Sequence, residues 1–119
     1  MSYKPIIVIG GEPNSIFSEI FFKTKKKIKI KNPIILIASK KLILGQMKSL
    51  KYNYKINIIN IEKDDFSKLK NYNINLIDVN FNFKKVFDKI TDKSNSYIKN
   101  CFDLGHKILK EKECLGLIN

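Results

Sequence analysis

Apolar residues occur along this chain in short continuous runs, with stretches of helical spacing between them. Pro5-Ile6-Ile7-Val8-Ile9 is the first run, closed by Gly10-Gly11, and such a run reads as a strand buried on both faces. Glu12-Pro13-Asn14-Ser15 follows with turn residues, and Ile16, Phe17, Ile20 and Phe21 then recur at helical spacing. Asn14 or Ser15 has a side-chain oxygen able to accept a free amide of the first helical turn. A lysine-dense stretch, Lys23 to Lys31, leads through Asn32-Pro33 to a second apolar run, Ile34 to Ala38. Ser39 is placed to cap a helix with Leu42, Leu44, Met47 and Leu50 on one face, weakened at Gly45.

The pattern then repeats. A third run covers Ile56 to Ile61, a short helix is expected around Asp65 to Leu69, and a fourth run covers Ile74 to Val79. Asn80 to Thr91 holds Phe81, Phe83, Val86 and Phe87 without a clean period, and so reads as a packed loop. Ser94 or Asn95 opens the longest helix, with Tyr97, Cys101, Leu104, Ile108 and Leu109 toward the core. Lys107, Lys110 and Lys112 suit the negative end of its dipole. Leu115 to Ile118 reads as a fifth strand directly before the last residue, Asn119. A buried parallel strand ordinarily feeds a further element, so the pattern is expected to continue in a longer chain. The fold class expected is α/β: a mainly parallel sheet of four or five strands with flanking helices, residues 1–119 forming one segment.

Composition narrows what this segment can be. Its 119 residues suit one compact unit. The formal net charge is +12, yet all 23 basic residues are lysine. Ile, Lys and Asn together fill 57 positions and Ala occurs once, at Ala38, so part of the charge reflects a bias running through the whole chain. No apolar run nears the roughly 18–20 residues of a membrane span. The start at Met1 lacks the apolar stretch of a secretory signal. Cys101 and Cys114 lack paired metal-ligand spacing and read as free thiols, so a cytoplasmic location is expected.

Candidate chemistry is sparse. The Gly10–Ser15 turn could hold an anion at a helix start, although it matches neither the dinucleotide fingerprint nor a P-loop. Glu12 would oppose a phosphate there unless it binds a cation or a hydroxyl. Lys23–Lys31 could neutralise nucleic-acid phosphates, but the lack of arginine removes the forked donor that reads guanine. A nucleic-acid or interaction module using Lys23–Lys31 is therefore the alternative reading, and a solvated lysine face the simpler one. Asp64-Asp65 reads as surface loop, and His106 as a surface or boundary residue of the last helix. No catalytic constellation emerges.

Taken together, the segments resemble the amino-terminal part of the 4-hydroxythreonine-4-phosphate dehydrogenase family of pyridoxal 5′-phosphate biosynthesis. That family opens with a strand and a Gly-(Asp/Glu)-Pro-Ala-Gly-Ile-Gly-Pro-Glu motif, which Gly11, Glu12, Pro13, Ile16 and Glu19 match in register. Pro33 to Ala38 looks like its second strand, Ile74 to Val79 like its strand ending in Ile-Asp-Val, and Asp92 to Leu109 like its long helix. Leu115 to Asn119 resembles the strand before its Gly-Pro-(Val/Ile)-(His/Ser)-Lys loop. Asn14, Ser15, Phe17 and Ser18 depart from it, standing where the family has Ala, Gly, Gly and Pro.

The resemblance implies a fold like that of isocitrate and isopropylmalate dehydrogenases, this chain being about the amino-terminal third of a homodimer subunit. It implies NAD-dependent oxidation and decarboxylation of 4-phosphooxy-L-threonine, a phosphorylated hydroxy-amino acid, with a divalent metal (zinc, magnesium or cobalt). Gly11, Glu12 and Pro13 would be a substrate-binding loop near the cleft. The family's three metal-binding histidines lie beyond the part matched here, so no catalytic, cofactor or metal residue is carried over. This chain alone is expected to be inactive and to bind neither NAD nor metal. A membrane is not expected as a partner, and nucleic acid is not favoured.

Overall fold

The computed structural model describes residues 3–119. Five strands, β1 (Ile6–Ile9), β2 (Ile34–Ala38), β3 (Ile56–Ile58), β4 (Ile74–Asp78) and β5 (Gly116–Ile118), form one sheet in the order β3-β4-β2-β1-β5. Every pair is parallel, with Ile7 beside Ile35 and Leu117, and Leu36 beside Leu76. Three helices connect them: α1 (Phe17–Lys27), α2 (Lys40–Ser49) and α3 (Asn95–Glu111). This is the expected α/β fold.

Right-handed crossovers dictate the layering. Both β1 to β2 and β2 to β3 step toward one edge of the sheet, so α1 and α2 lie on one face. The connection from β4 to β5 steps the other way, which sends α3 to the opposite face. Two cores result. Ile7, Ile9, Ile35, Ile37 and Ile77 pack under Tyr97, Cys101 and Ile108 of α3. Val8, Leu36 and Leu76 pack under Phe22 of α1 and Ile43 and Met47 of α2.

The helix faces differ in detail from the spacing argument. On α1, Ile16 and Ile20 are exposed, at 65% and 53%, while Ser18 and Phe22 are buried. Phe22 anchors the helix because its ring meets Tyr52 and Tyr54, with centroids 5.3 and 6.4 Å away. On α2 the buried stripe is Leu42, Ile43, Gln46 and Met47, and Leu44 faces water at 44% exposure. Gln46 decides that rotation, since its buried Nε2 donates to the Pro13 carbonyl at 2.8 Å. Ser39 caps α2 as expected, its Oγ accepting the Leu42 amide. α3 buries Tyr97, Cys101 and Ile108 as the spacing predicts, together with Gly105.

Two asparagines are used structurally rather than chemically. Asn75, buried in β4, donates to the Lys70 carbonyl at 2.9 Å and accepts from Asn57 at 3.1 Å. Asn71 accepts the Ile34 amide and donates to the carbonyls of Ile30 and Asn32. Buried polar groups satisfied in this way do not carry the cost of lost hydration. The rotated α1 face has a measurable consequence. Phe22→Ala is expected to cost about 3–5 kcal/mol in urea unfolding, and Ile20→Ala to stay within about 0.5 kcal/mol. Equal costs would restore the face drawn from spacing.

Candidate functional site at the carboxyl edge

The carboxyl ends of β1, β2 and β4 meet at one edge of the sheet, where parallel α/β folds place their ligands. β1 leaves the sheet through Gly10, which lies so close to β2 that a Cβ there would stand 3.2 Å from that of Ala38. Gly11 has a positive φ of 62°, a conformation that costs other residues energy. Together these glycines turn the chain from β1 into Glu12-Pro13 with no room lost against β2.

The turn is braced from inside. The Glu12 carboxylate accepts the Asn14 amide at 3.0 Å and the Ser94 hydroxyl at 3.3 Å. Ser15 Oγ donates to the Glu12 carbonyl at 2.8 Å and accepts the Phe17 amide at 3.2 Å, which ties the turn to the first residue of α1. Asn14 reaches the other way: its Oδ1 accepts the Asp88 amide, and its Nδ2 donates to the Lys89 carbonyl. The packed loop over Asn80–Thr91 is thereby pinned to the turn, 74 and 75 residues away in sequence.

Gly11, Glu12 and Pro13 thus stand together at the carboxyl edge, with Pro13 buried and the other two half-buried. The hydroxyl that Glu12 binds is the protein's own, from Ser94. Ser39, Asp78, Ser94 and Tyr97 join this edge, although the sequence marked Ser39 and Ser94 only as helix starts, Tyr97 only as a core position and Asp78 only as part of a strand. The Ser39 amide donates to the buried Tyr97 hydroxyl at 2.9 Å, and Asp78 Oδ1 accepts the Lys40 amide at 2.8 Å. For Ser39 and Asp78 the signal in the sequence was position, a polar residue at the end of a buried run; Ser94 and Tyr97 had no such signal. Behind the turn a cavity of about 10 Å³, lined by Ser18, Gln46 and Tyr97 among others, has the volume of roughly one water.

The other candidates do not converge here. His106 is exposed on α3, with its ring against Phe102. Asp64 and Asp65 make local turn bonds, to the Asn60 and Ser67 amides. In the lysine stretch Lys23 pairs with Glu19 at 3.2 Å. Lys25 is half-buried; its Nζ donates to the carbonyls of Asn71 and Asn73 and lies 5.1 Å from the Tyr54 ring centroid. Burial lowers its pKa. Among the described residues, no three His, Cys, Asp or Glu side chains gather as a metal site, and no helix is long and apolar enough to cross a membrane.

The class defined by this architecture is a parallel α/β fold with its Gly-Glu-Pro turn at the carboxyl edge. Comparison with solved structures makes it more particular. The chain is similar to a 4-hydroxythreonine-4-phosphate dehydrogenase from Burkholderia phymatum, with a TM-score of 0.78 and 11% identity over 93% of this chain and 34% of that one. It is similar also to the 4-hydroxythreonine-4-phosphate dehydrogenase from Klebsiella pneumoniae, with a TM-score of 0.76 and 17% identity over 96% of this chain and 36% of that one. The chain spans about a third of the length of these structures. No protein-family model matches the sequence, and neither does any curated protein.

Two measurements test the site's construction. Asn14→Ala should remove the hydrogen-exchange protection of the Asp88 amide while leaving α2 and α3 protected, at a cost of about 1 kcal/mol. Unchanged protection would show that the loop is held by other contacts. The second concerns alkaline pH. Burial raises the Tyr97 hydroxyl and pushes the Cys101 thiol from 9.0 up to about 11. Both ionise more readily in the unfolded chain; the Cys101 contribution is complete below about pH 9 and is lost as pH rises through about 11. Urea midpoints between those values should fall, and Cys101→Ala should flatten the slope by up to about 1.4 kcal/mol per pH unit. An identical slope in that variant would contradict the assignment.

Proposed function

We propose that this chain forms the amino-terminal third of a dehydrogenase subunit acting on a phosphorylated hydroxy-amino acid, 4-phosphooxy-L-threonine. In this reading the Gly11-Glu12-Pro13 turn flanks the substrate. The observation that carries it is the agreement with 4-hydroxythreonine-4-phosphate dehydrogenases over 93–96% of the chain. That the turn matching the family motif stands at the carboxyl edge supports the same reading. The subunit would work in the cytoplasm as a homodimer.

The reaction would be oxidation of the substrate hydroxyl by NAD, followed by loss of carbon dioxide. When bound, a divalent ion such as zinc, magnesium or cobalt would polarise the substrate hydroxyl and the carbonyl formed from it, easing departure of hydride from the carbon bearing that hydroxyl and the loss of carbon dioxide. The described residues do not fit either group. They gather no three-ligand metal set, and the Gly10–Ser15 turn lacks the dinucleotide glycines. NAD and metal would therefore be held by residues outside these 119, and no step is assigned to them on this chain. Its own part is positional: Glu12, tied to Ser94, and Asn14, tied to residues 88 and 89, fix the wall of the cleft.

The nucleic-acid alternative has less support. Lys25 is committed to backbone carbonyls and Lys23 to Glu19, so the stretch does not present an uninterrupted set of free cations. A titration with 4-phosphooxy-L-threonine, followed by amide chemical shifts, is expected to move Gly11, Glu12 and Asn14 first. NADH formation by the 119-residue chain, with NAD and zinc, magnesium or cobalt added, is expected to stay at background. Shifts confined to residues 23–31 would overturn the placement of substrate at the turn. Turnover by this chain alone would overturn its reading as one third of the enzyme.

A further inference from the structure

Among the described residues, Ser18 Oγ is the buried side-chain oxygen that has no hydrogen-bond partner. The residue is 1% exposed, so bulk solvent does not reach that hydroxyl either. Leaving a buried hydroxyl unpaired is costly, and folded proteins almost always supply such a group with a partner. Ser18 is the second residue of α1, in the turn where helical amides also lack carbonyls from their own helix. It stands in the wall of the cavity of about 10 Å³ behind the Gly11–Pro13 turn.

The other walls decide what fits. Gln46 enters from α2, and its Nε2 is committed to the Pro13 carbonyl at 2.8 Å, which leaves Oε1 to accept. Tyr97 enters from α3, its hydroxyl already accepting the Ser39 amide at 2.9 Å. Ala38, Leu42 and Ile43 close much of the rest and offer no ligand. A metal ion would need more oxygen ligands than these walls supply. An anion would meet Glu12, with no lysine in the walls to offset it. A wholly apolar cavity of this size stays dry, but a hydroxyl and an amide oxygen suit a water molecule.

We propose that this cavity is a hydration site for one internal water, which accepts from Ser18 Oγ and donates to Gln46 Oε1. The water joins the start of α1 to the middle of α2 behind the turn. Gln46 then backs the turn by two routes, directly at Pro13 and through the water at Ser18. Every wall comes from residues 10–18, 38–46 and 97, so the site is built without any further segment. The inference does not rest on the dehydrogenase reading.

A crystal structure of the chain at atomic resolution is the direct test. A water within about 2.7–3.2 Å of both Ser18 Oγ and Gln46 Oε1 is expected, and no density between them would overturn the proposal. In solution, Ser18→Ala separates a hydrated hydroxyl from an unpaired one by sign. Losing a hydroxyl that bonds water should lower the folding equilibrium constant about fivefold, whereas losing an unpaired one should raise it. Ser96→Ala corrects for helix propensity, because Ser96 is exposed and is likewise the second residue of its helix, α3. A corrected constant that is unchanged or raised would overturn the proposal.

Two further readouts identify the occupant. Magnetic relaxation dispersion of solvent water counts long-lived internal molecules, and Ser18→Val, whose extra carbon fills the cavity, should lose one. An equal count in both proteins would place the water elsewhere and overturn the assignment. A urea midpoint that rises with potassium or ammonium chloride, but not with choline chloride, would overturn it in favour of a cation. None of these readouts uses substrate or NAD, so their outcome is separate from that of the dehydrogenase reading.

Discussion

Burial of β1, β2 and β4 on both faces is the constraint on which the rest of the molecule depends. A strand so placed cannot alternate apolar and polar residues, and its side chains divide between two cores instead. Ile7 and Ile9 go under α3, whereas Val8 goes under α1 and α2. Parallel pairing then forces every connection to cross a face, and the fixed handedness of crossing decides which one. Since β1 and β2 feed helices on one side and β4 feeds α3 on the other, the chain parts at the carboxyl edge. That parting opens the place where the turn after β1 stands.

What holds the turn there is mostly side chain to backbone. Glu12, Asn14 and Ser15 each accept a main-chain amide, and Gln46 reaches across from α2 to the Pro13 carbonyl. In the family motif that this sequence resembles, positions 14 and 15 are Ala and Gly, which have no side-chain oxygen to offer. Here those two positions carry the bracing. A ligand approaching the turn would therefore meet hydrogen-bonding side chains, already engaged, in space that glycine would leave open. The consequence falls on the shape of the cleft more than on stability, because each such bond contributes only about 1 kcal/mol.

The strands were legible because the runs at Ile6–Ile9 and Ile34–Ala38 are continuous and bounded by Gly or Pro, and the other three, though interrupted by Asn, Asp or Gly, are short and rich in Ile and Leu. The strands fall on all five. Helix faces were less so, for a physical reason. Spacing arguments count large apolar residues, but α1 buries Ser18 and α2 buries Gln46, while Ile20 and Leu44 face water. A small residue can be inside because close approach needs it, and an amide because it meets a carbonyl. Neither reason shows in a hydrophobic pattern. The turn itself was legible from Gly11, Glu12 and Pro13, yet its partners were not. Ser94 lies 82 residues from Glu12, and the loop that Asn14 grips lies 74 residues on. Such pairings depend on where two distant segments are brought together, which local sequence does not encode.

The single alanine has a meaning in terms of tolerance to substitution. Ala38 lies at the end of β2 against Gly10, and the Gly10 amide donates to the Ile37 carbonyl at 3.0 Å. In a chain so rich in isoleucine, the commonest apolar replacement would put three more carbons into that contact. Overpacking of this kind costs about 1–3 kcal/mol, and here the strain would be relieved outward, by lifting the Gly10-Gly11 bend away from β2. The hold of Asn14 on residues 88 and 89 would loosen with it, although neither partner had changed. Mutational sensitivity of the carboxyl edge is therefore concentrated at a small, buried, chemically inert residue, and a search confined to polar residues would pass it by.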